Sequence, residues 1–556
     1  MKTHRYISAV AGIALAFTSC SLIGSLDDLK IDYVYTDETV ISDAASAENV
    51  LAGIYASWKS FGNCAFFTNQ ALRAGTIRYA NIVGYDEFQI NQLTDDNTSL
   101  EQFYTGQYFI INGANSFIEA LCDGRQITGL SDERKEEMLS EAYFLKALSE
   151  HYLLCTFGQF YDQTSEYGIV IPDGPVRESI TKARSTVADS YDVILSDLDK
   201  AVNAPEYPAV GHAGRYAVML LRAKVLLNAG RYQDAALTAG NLIQAKDADL
   251  AGSFLEPFAA PYESSEILFD LYCTYPESTL GSDSYSYYYS SPGDVLTDLA
   301  DSIDGVPGDG ATSSVSNEDV AAWLAEGTNE QDIIAYINEM NMGFTSYTSF
   351  QDIVDEYVSY GFSEAEAYEY AIQDIISYAE LMGVEFEGSG WTGYDSRYIQ
   401  TYSNPQGSNG ISKYIYTQFV SGPSNTIFLL RLADAYYIKA EAEARQGASR
   451  YDAARDALAR VIERAGYDRA YVDGIPDEDL VRTIMQHRFM ENFTENMDDY
   501  YDQVRALMLD GENFCSNDGC VSMANTLIAP VPREALAGNN LLEQLPYRQE
   551  SSSTFN

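Results

Sequence analysis

Few residues in this sequence stand at spacings that catalysis or metal binding requires. His487 and Glu491 are four apart on a helical stretch, so their side chains share one face and could share a metal ion. Two ligands without a third do not close a site, and the other histidines, His4, His151 and His212, are remote in sequence. The seven cysteines form no paired C-x-x-C pattern. Cys515 and Cys520 flank the turn-rich Ser516-Asn517-Asp518-Gly519, which suits either a disulfide or two free thiols. Cys64, Cys122, Cys155 and Cys273 read as small buried residues. No G-x-S-x-G elbow, H-E-x-x-H, P-loop or G-x-G-x-x-G occurs. The 82 acidic residues offer many carboxylate pairs of the kind glycosidases use, and that abundance deprives any one pair of meaning. The expectation is a protein that is not an enzyme and carries no metal and no cofactor.

Aromatic residues give the stronger signal. Sugars present C–H faces that lie flat on rings, and three irregular stretches concentrate such rings. The first holds Phe66, Phe67, Tyr79 and Tyr85 within Phe61–Asn97, a stretch without helical periodicity. The second holds Tyr285, Tyr287, Tyr288 and Tyr289, and the third holds Trp391 and Tyr394 in a glycine-rich setting. Arg73 and Asn91 could supply hydrogen bonds to hydroxyls or to a peptide backbone. The competing reading for each ring is packing between cap and scaffold. Of the three tryptophans, Trp58 belongs to a helix core and Trp323 to a predicted helix, so Trp391 is the expected exposed platform.

The elements that must position these residues are mostly helices. Leu429, Leu432, Ala433, Tyr436 and Ala440 recur at helical spacing, and Gly447 stops the run. Ser449 and Asp452 read as a capping box opening a second helix, whose face carries Ala454, Ala457, Leu458, Val461 and Ile462. This is a close helical hairpin of the tetratricopeptide kind. A second copy, Tyr216 to Ile243, turns at Gly230-Arg231-Tyr232. One hairpin cannot bury both faces, so the chain is expected to leave the array and return. Further helices are expected over 44–60, 100–123, 132–157, 477–493 and in short acidic segments between 318 and 382.

Lys2, His4 and Arg5 precede an apolar run from Ile7 to Phe17, the pattern of a signal peptide. It ends Phe17-Thr18-Ser19-Cys20, small residues before a cysteine, so Cys20 is expected to be lipidated and to anchor the chain without spanning the membrane. The formal charge is −48, and residues 1–19 carry two of the cations and no carboxylate. Nucleic acid is therefore excluded as a partner, since it needs a basic face.

RLADAYYIKAEAEARQG resembles the RagB/SusD family, surface lipoproteins of Bacteroidetes that capture nutrients for a TonB-dependent outer-membrane transporter. HRFMENFTENMDDYYDQVR resembles the family signature at Arg488, Glu491, Glu495, Asp502 and Arg505, with His487 where Glu is usual and Asn496 where Gly is usual. These residues look structural, as Arg–carboxylate ties between helices. Phe157-Gly158 and the tail from Pro530 to Tyr547 also match. The resemblance implies an all-α fold, with tetratricopeptide-like hairpins as a curved scaffold and a loop-rich cap. The corresponding division is a signal peptide (1–19), a tether (20–43), an N-terminal half (44–249), a ligand-facing insertion (250–426) and a C-terminal half (427–556). It further implies an outer-membrane lipoprotein facing the exterior, with a SusC-type transporter as partner. The ligand is a neutral oligosaccharide, or in the second reading an oligopeptide; a surface glycosidase is the third reading.

Overall fold

A computed structural model describes residues 41–60, 63–78, 87–206, 208–246, 249–259, 264–271, 291–303, 347–381, 395–402, 427–511 and 525–546, together with 334, 335, 338, 413, 513 and 521–523. The architecture is mostly helical. Helices α1 (Ala44–Trp58), α2 (Asn63–Arg73), α3 (Thr98–Cys122), α4 (Asp132–Phe157) and α5 (Val187–Lys200) precede the first hairpin, α6 (Arg215–Asn228) and α7 (Tyr232–Lys246). Helix α4 is buried almost all round from Met138 to Phe157, as a central helix must be. Asp43, Asn97, Ser131 and Thr186 cap the N-termini of α1, α3, α4 and α5 with side-chain oxygens, satisfying amides that have no helical partner.

After the first hairpin come α8 (Asp294–Ile303), α9 (Phe350–Ser359), α10 (Glu364–Leu381) and α11 (Ser396–Tyr402). The second hairpin is α12 (Leu432–Ala444) and α13 (Tyr451–Ile462), followed by α14 (Leu480–Asn492) and α15 (Asp498–Arg505). Helix α12 packs on α7 as well as on α13, so hairpins far apart in sequence are neighbours in space. Its alanines make the approach close, and Ala440 is fully buried. Gly447 has φ 99°, a conformation that ends α12 and that other residues adopt at a cost.

Four expectations are corrected. Residues Ile427–Arg431 form a strand rather than the start of α12, so Leu429 leaves the helical stripe. This strand, β4, pairs antiparallel with β2 (Ile267–Leu271), placing Ile267 opposite Arg431 and Asp270 opposite Phe428. The continuous run Ile-Phe-Leu-Leu is buried on both faces, which sequence periodicity alone does not separate from a helix. Helix α13 begins on a single 3₁₀ turn, Ala448–Arg450, without a side-chain cap, so the Ser449–Asp452 box does not form. The irregular stretch 61–97 contains α2, whose buried face mixes Phe66, Phe67 and Leu72 with Thr68, Gln70 and Arg73 and so hides its period. Cys155 is buried as expected, whereas Cys122 is exposed. One hydrophobic core extends from Ile41 to Ala529 and joins both hairpins.

Candidate ligand-binding face

Four of the residues assigned to ligand binding are spent inside the protein. Phe66 and Phe67 are completely buried; Phe66 stacks on Phe103 at 4.0 Å, and Phe67 meets Tyr152 edge-on. Arg73 and Asn91 are buried and bonded to each other, with Arg73 Nε donating to Asn91 Oδ1 at 2.7 Å. The Arg73 guanidinium also covers the Tyr500 ring and donates to the Thr526 carbonyl. These four leave the site. Helix α2 turns Phe66, Phe67 and Arg73 inward, where an arginine is tolerated because its donors are met, one of them by Asn91.

Tyr79, Tyr85, Tyr285, Tyr287, Tyr288, Tyr289, Trp391 and Tyr394 lie outside the described residues, as do Cys20, Cys515 and Cys520. The backbone that flanks those tyrosines and Trp391 converges. Strand β1 (Ile77–Arg78) pairs antiparallel with β3 (Ser291–Pro292), and Gly293 N–H donates to the Thr76 carbonyl. A Cβ on Gly293 would stand 2.0 Å from the Gly75 carbonyl oxygen, so only glycine permits this approach. Helix α8 follows directly, and its Ala300 carbonyl accepts from Asp395 N–H at 2.8 Å. Residues 78, 291 and 395 are thus held around one short helix about 15 Å long.

Helices α9 and α10 present the exposed aromatic cluster of the described residues. Tyr360 is 67% exposed, Tyr370 46% and Phe362 40%. Tyr357 stacks on Tyr370 at 5.4 Å and 25°, and Phe362 meets Tyr370 at 5.0 Å. Carboxylates hold the rings by their hydroxyls: Tyr357 donates to Asp374 at 2.9 Å, and Tyr360 and Tyr347 donate to Glu356. Those hydroxyls hold the Glu356 carboxyl below its usual range, and burial pushes that of Asp374 up. The helices start well, from a capping box at Ser349 and Asp352 and from Ser363 paired with Glu366; Gly361, at φ 100°, makes the turn between them. Their buried residues, including Ile353, Val354 and Ile372, are not part of the main core. Between Lys246 and Arg397 the sequence has no Lys, Arg or His, yet it holds 30 of the 82 acidic residues. Fixed rings in a purely acidic setting can stack on a C–H face, or on a cation, and repel polyanions.

The signature residues form a different constellation, wholly buried. Arg488 donates to Asp434 at 2.7 Å, to Asp502 at 2.7 Å and to Asp498 at 2.9 Å. Arg505 takes Glu441 with both Nη atoms at 2.8 Å and also reaches Asp502. Glu491 accepts from Arg431 and Arg464, and Glu495 from Arg431 and Lys413. Burial opposes the ionised form of Asp434, but Arg488 and Lys224 outweigh it and hold its carboxyl well below the usual range. Glu441, likewise opposed by burial, is brought down to about 2 by Arg505 and Arg445. His487 Nδ1 faces Arg397 Nη2 at 2.9 Å. A guanidinium only donates, so Nδ1 is the acceptor and Nε2–H is left to donate to the Tyr471 hydroxyl at 2.9 Å. Burial and Arg397 push the imidazole down to about 3, so it is neutral. Both nitrogens are used, and the pair with Glu491 belongs to this lattice.

Comparison with known proteins places the chain. The family model described as starch-binding and associating with the outer membrane matches residues 30–227, and the model of the SusD family matches residues 387–530. The chain belongs to the SusD/RagB family. SusD superfamily structures share its fold. One from Bacteroides thetaiotaomicron VPI-5482 is 19% identical, with TM-score 0.59 over 91% of this chain and 100% of that one. A SusD-like protein from Bacteroides fragilis NCTC 9343 is 16% identical, with TM-score 0.61 over 91% and 98%. A laminarin-binding SusD-like protein is 17% identical, with TM-score 0.55 over 91% and 99%. No curated protein matches. The SusD family consists of outer-membrane-associated glycan-binding proteins.

Within this SusD-like chain, the two matched segments leave 228–386 between them, and the α9–α10 rings fall there. Sequence reasoning recorded these helices as acidic and amphipathic and passed over Tyr357, Tyr360, Phe362 and Tyr370. The available signal was aromatic residues set among carboxylates on the polar side of a helix, where solvated faces carry none.

Proposed function

We propose that this SusD/RagB protein is a lipid-anchored, outward-facing binding protein that captures a neutral oligosaccharide without catalysis. It passes the ligand to a SusC-type TonB-dependent transporter. The observation that carries the reading is the exposed, carboxylate-locked ring cluster of α9 and α10, in a region without any cation. The rings outside the described residues, with Trp391 foremost, belong to the same proposal. A lipid-anchored binder cannot itself move cargo across a membrane, which is the reason for a barrel partner. The absence of Lys and Arg from 247–396 favours a basic oligopeptide as the second reading.

Calorimetry separates the two. The full mature protein is titrated with laminarin, starch oligosaccharides, a uronic-acid glycan and a tryptic peptide digest. Saturable binding of a neutral glycan, weakened in Tyr360→Ala and Trp391→Ala, is the expected result. Preferred binding of the uronic-acid glycan overturns the charge argument, and undiminished binding by a variant removes that ring. Cys20→Ser is expected to lose fatty-acid labelling and membrane association. A mild-detergent pull-down of the native protein is expected to recover a large barrel protein.

A further inference from the structure

A cavity that none of the exposed rings lines sits between the open end of the α6–α7 hairpin and strand β2; it is open to solvent and offers about 490 Å³. That is within the range of small-molecule pockets, roughly 300–1,000 Å³. One wall is the loop before α6, with Pro208, Val210 and His212; the other runs from Ser264 to Asp270.

Asp270 is out of place by every structural criterion. It interrupts the apolar strand Ile-Leu-Phe-Asp-Leu and stands opposite Phe428 in the ladder. It is 7% exposed, and among the described residues its carboxyl has no ion pair or hydrogen bond to any other residue. Burial accordingly pushes it up to about 7. Leucine there would fill the same strand position without burying a charge. The other ionisable groups of the cavity are satisfied. Glu206 takes Arg215 at 2.7 Å and the Tyr216 hydroxyl at 3.0 Å, and Lys246 pairs with Asp249.

His212 lines the same cavity, and its Nδ1 is taken: it lies 2.8 Å from Glu141 Oε2, which as a carboxylate only accepts, so Nδ1 carries a proton. The lining therefore leaves one carboxylate, Asp270, without a donor among the described residues, beside an apolar wall that includes Phe269. Among the described residues no His, Cys, Asp or Glu group is arranged to hold a metal ion.

We propose that this cavity is a binding site for a small organic ammonium, which donates to Asp270 while its hydrocarbon body lies on the Phe269 wall. An ammonium supplies donors and charge together, and it suits a chain whose net charge is −48. The site goes beyond glycan capture and does not depend on it.

The test uses calorimetry on the full mature protein with 2-phenylethylamine and 1,5-diaminopentane, and with 2-phenylethanol and glucose as neutral counterparts. Saturable binding of an amine, at least tenfold weaker in Asp270→Asn, is expected. The neutral counterparts should not compete. Asp270→Leu should also lose the amine while melting no lower than the parent, which a merely structural aspartate would not allow. Both variants should keep any glycan affinity located at the rings. Equal binding of 2-phenylethanol or glucose, unchanged amine affinity in Asp270→Asn, or no saturable amine binding overturns the proposal.

Discussion

The C-terminal half and the segment between Lys246 and Arg397 are both rich in carboxylates and use them in opposite ways. Around α12, α14 and α15, each buried carboxylate of the signature meets a guanidinium or ammonium: Asp434, Asp498 and Asp502 share Arg488, and Glu441 has Arg505 and Arg445. Between 247 and 396 the sequence itself supplies no cation, and Glu266 and Asp395 take arginines from outside the segment. On α9 and α10, where no arginine reaches, Glu356 and Asp374 take tyrosine hydroxyls instead and leave ring faces exposed. In the first region the charges lock helices together. In the second they orient aromatic rings and set a potential. The same residue type thus ties helices together in one place and displays aromatic rings in another, and the deciding variable is whether an arginine is within reach.

The largest effect should come from removing one arginine. Arg488→Met removes a guanidinium shared by three buried carboxylates. Breaking a buried pair in this way costs about 3–5 kcal/mol; Lys224 still reaches Asp434 and Asp498, and Arg505 still reaches Asp502, so the loss should stay within that range. Urea denaturation should show a midpoint shift of that size at constant slope. A shift below about 1 kcal/mol would mean that water replaces the guanidinium and that the lattice is not what holds the helices.

How much of this was legible beforehand depends on whether a residue's neighbours are local. The hairpins were readable because Ala454, Ala457, Leu458 and Val461 repeat at helical spacing, and Gly447 and Gly230 mark the turns. The signature arginines were readable as structural from family resemblance, whereas their partners were not. Asp434 and Arg488 are 54 residues apart, and Glu266 and Arg431 are 165 apart. The binding residues failed for a related reason. Phe66, Phe67, Arg73 and Asn91 look like an irregular aromatic loop in sequence, because buried polar side chains on α2 erase its amphipathic pattern. Their partners, Phe103, Tyr500 and Thr526, are distant in the chain. Asp270 gave no signal among 82 acidic residues; only its place in a buried ladder sets it apart.

A smaller effect, and one with a sign, comes from pH. Glu441, Glu491 and Asp434 have depressed folded-state values, so they stabilise the fold above pH about 4, and this stability is lost as pH falls toward 2. Burial raises Asp499 to about 6 and Asp270 to about 7, so these two cost stability as pH rises from about 4 toward 8. His151 and His487 are held neutral in the fold down to about 3, so they cost stability as pH falls below about 6.5, and the melting temperature should peak near pH 5. Hydrogen exchange should separate the regions. Below about pH 3, amides of α14 and α15 should open more than those of α9 and α10, because protonation breaks buried ion pairs in the first and only the exposed hydroxyl and capping bonds of Asp352, Glu356 and Glu366 in the second. Simultaneous opening of both would erase the distinction. Salt gives a milder version: raising NaCl from about 0.05 to 0.5 M shortens the screening length to a few ångströms. Protection should increase in α9 and α10 and stay constant in α14.

The smallest expected effect on stability is also the sharpest test of the comparison. Tyr360 is mostly in water, and its one polar contact is with Glu356 on the same helix. Tyr360→Ala should change the unfolding free energy by no more than about 0.5 kcal/mol, as surface substitutions do. Tyr357 is half-buried, stacks on Tyr370 and bonds to Asp374 on α10, so Tyr357→Ala should cost about 1–2 kcal/mol. If the region exists to display rings, the ranking for binding must be the reverse: Tyr360→Ala should lose more glycan affinity per unit of stability lost. Denaturation and calorimetry on the same two preparations measure both. A Tyr360 variant that is destabilised like Tyr357→Ala, or that binds like the parent, would make this cluster packing after all and return α9 and α10 to the scaffold.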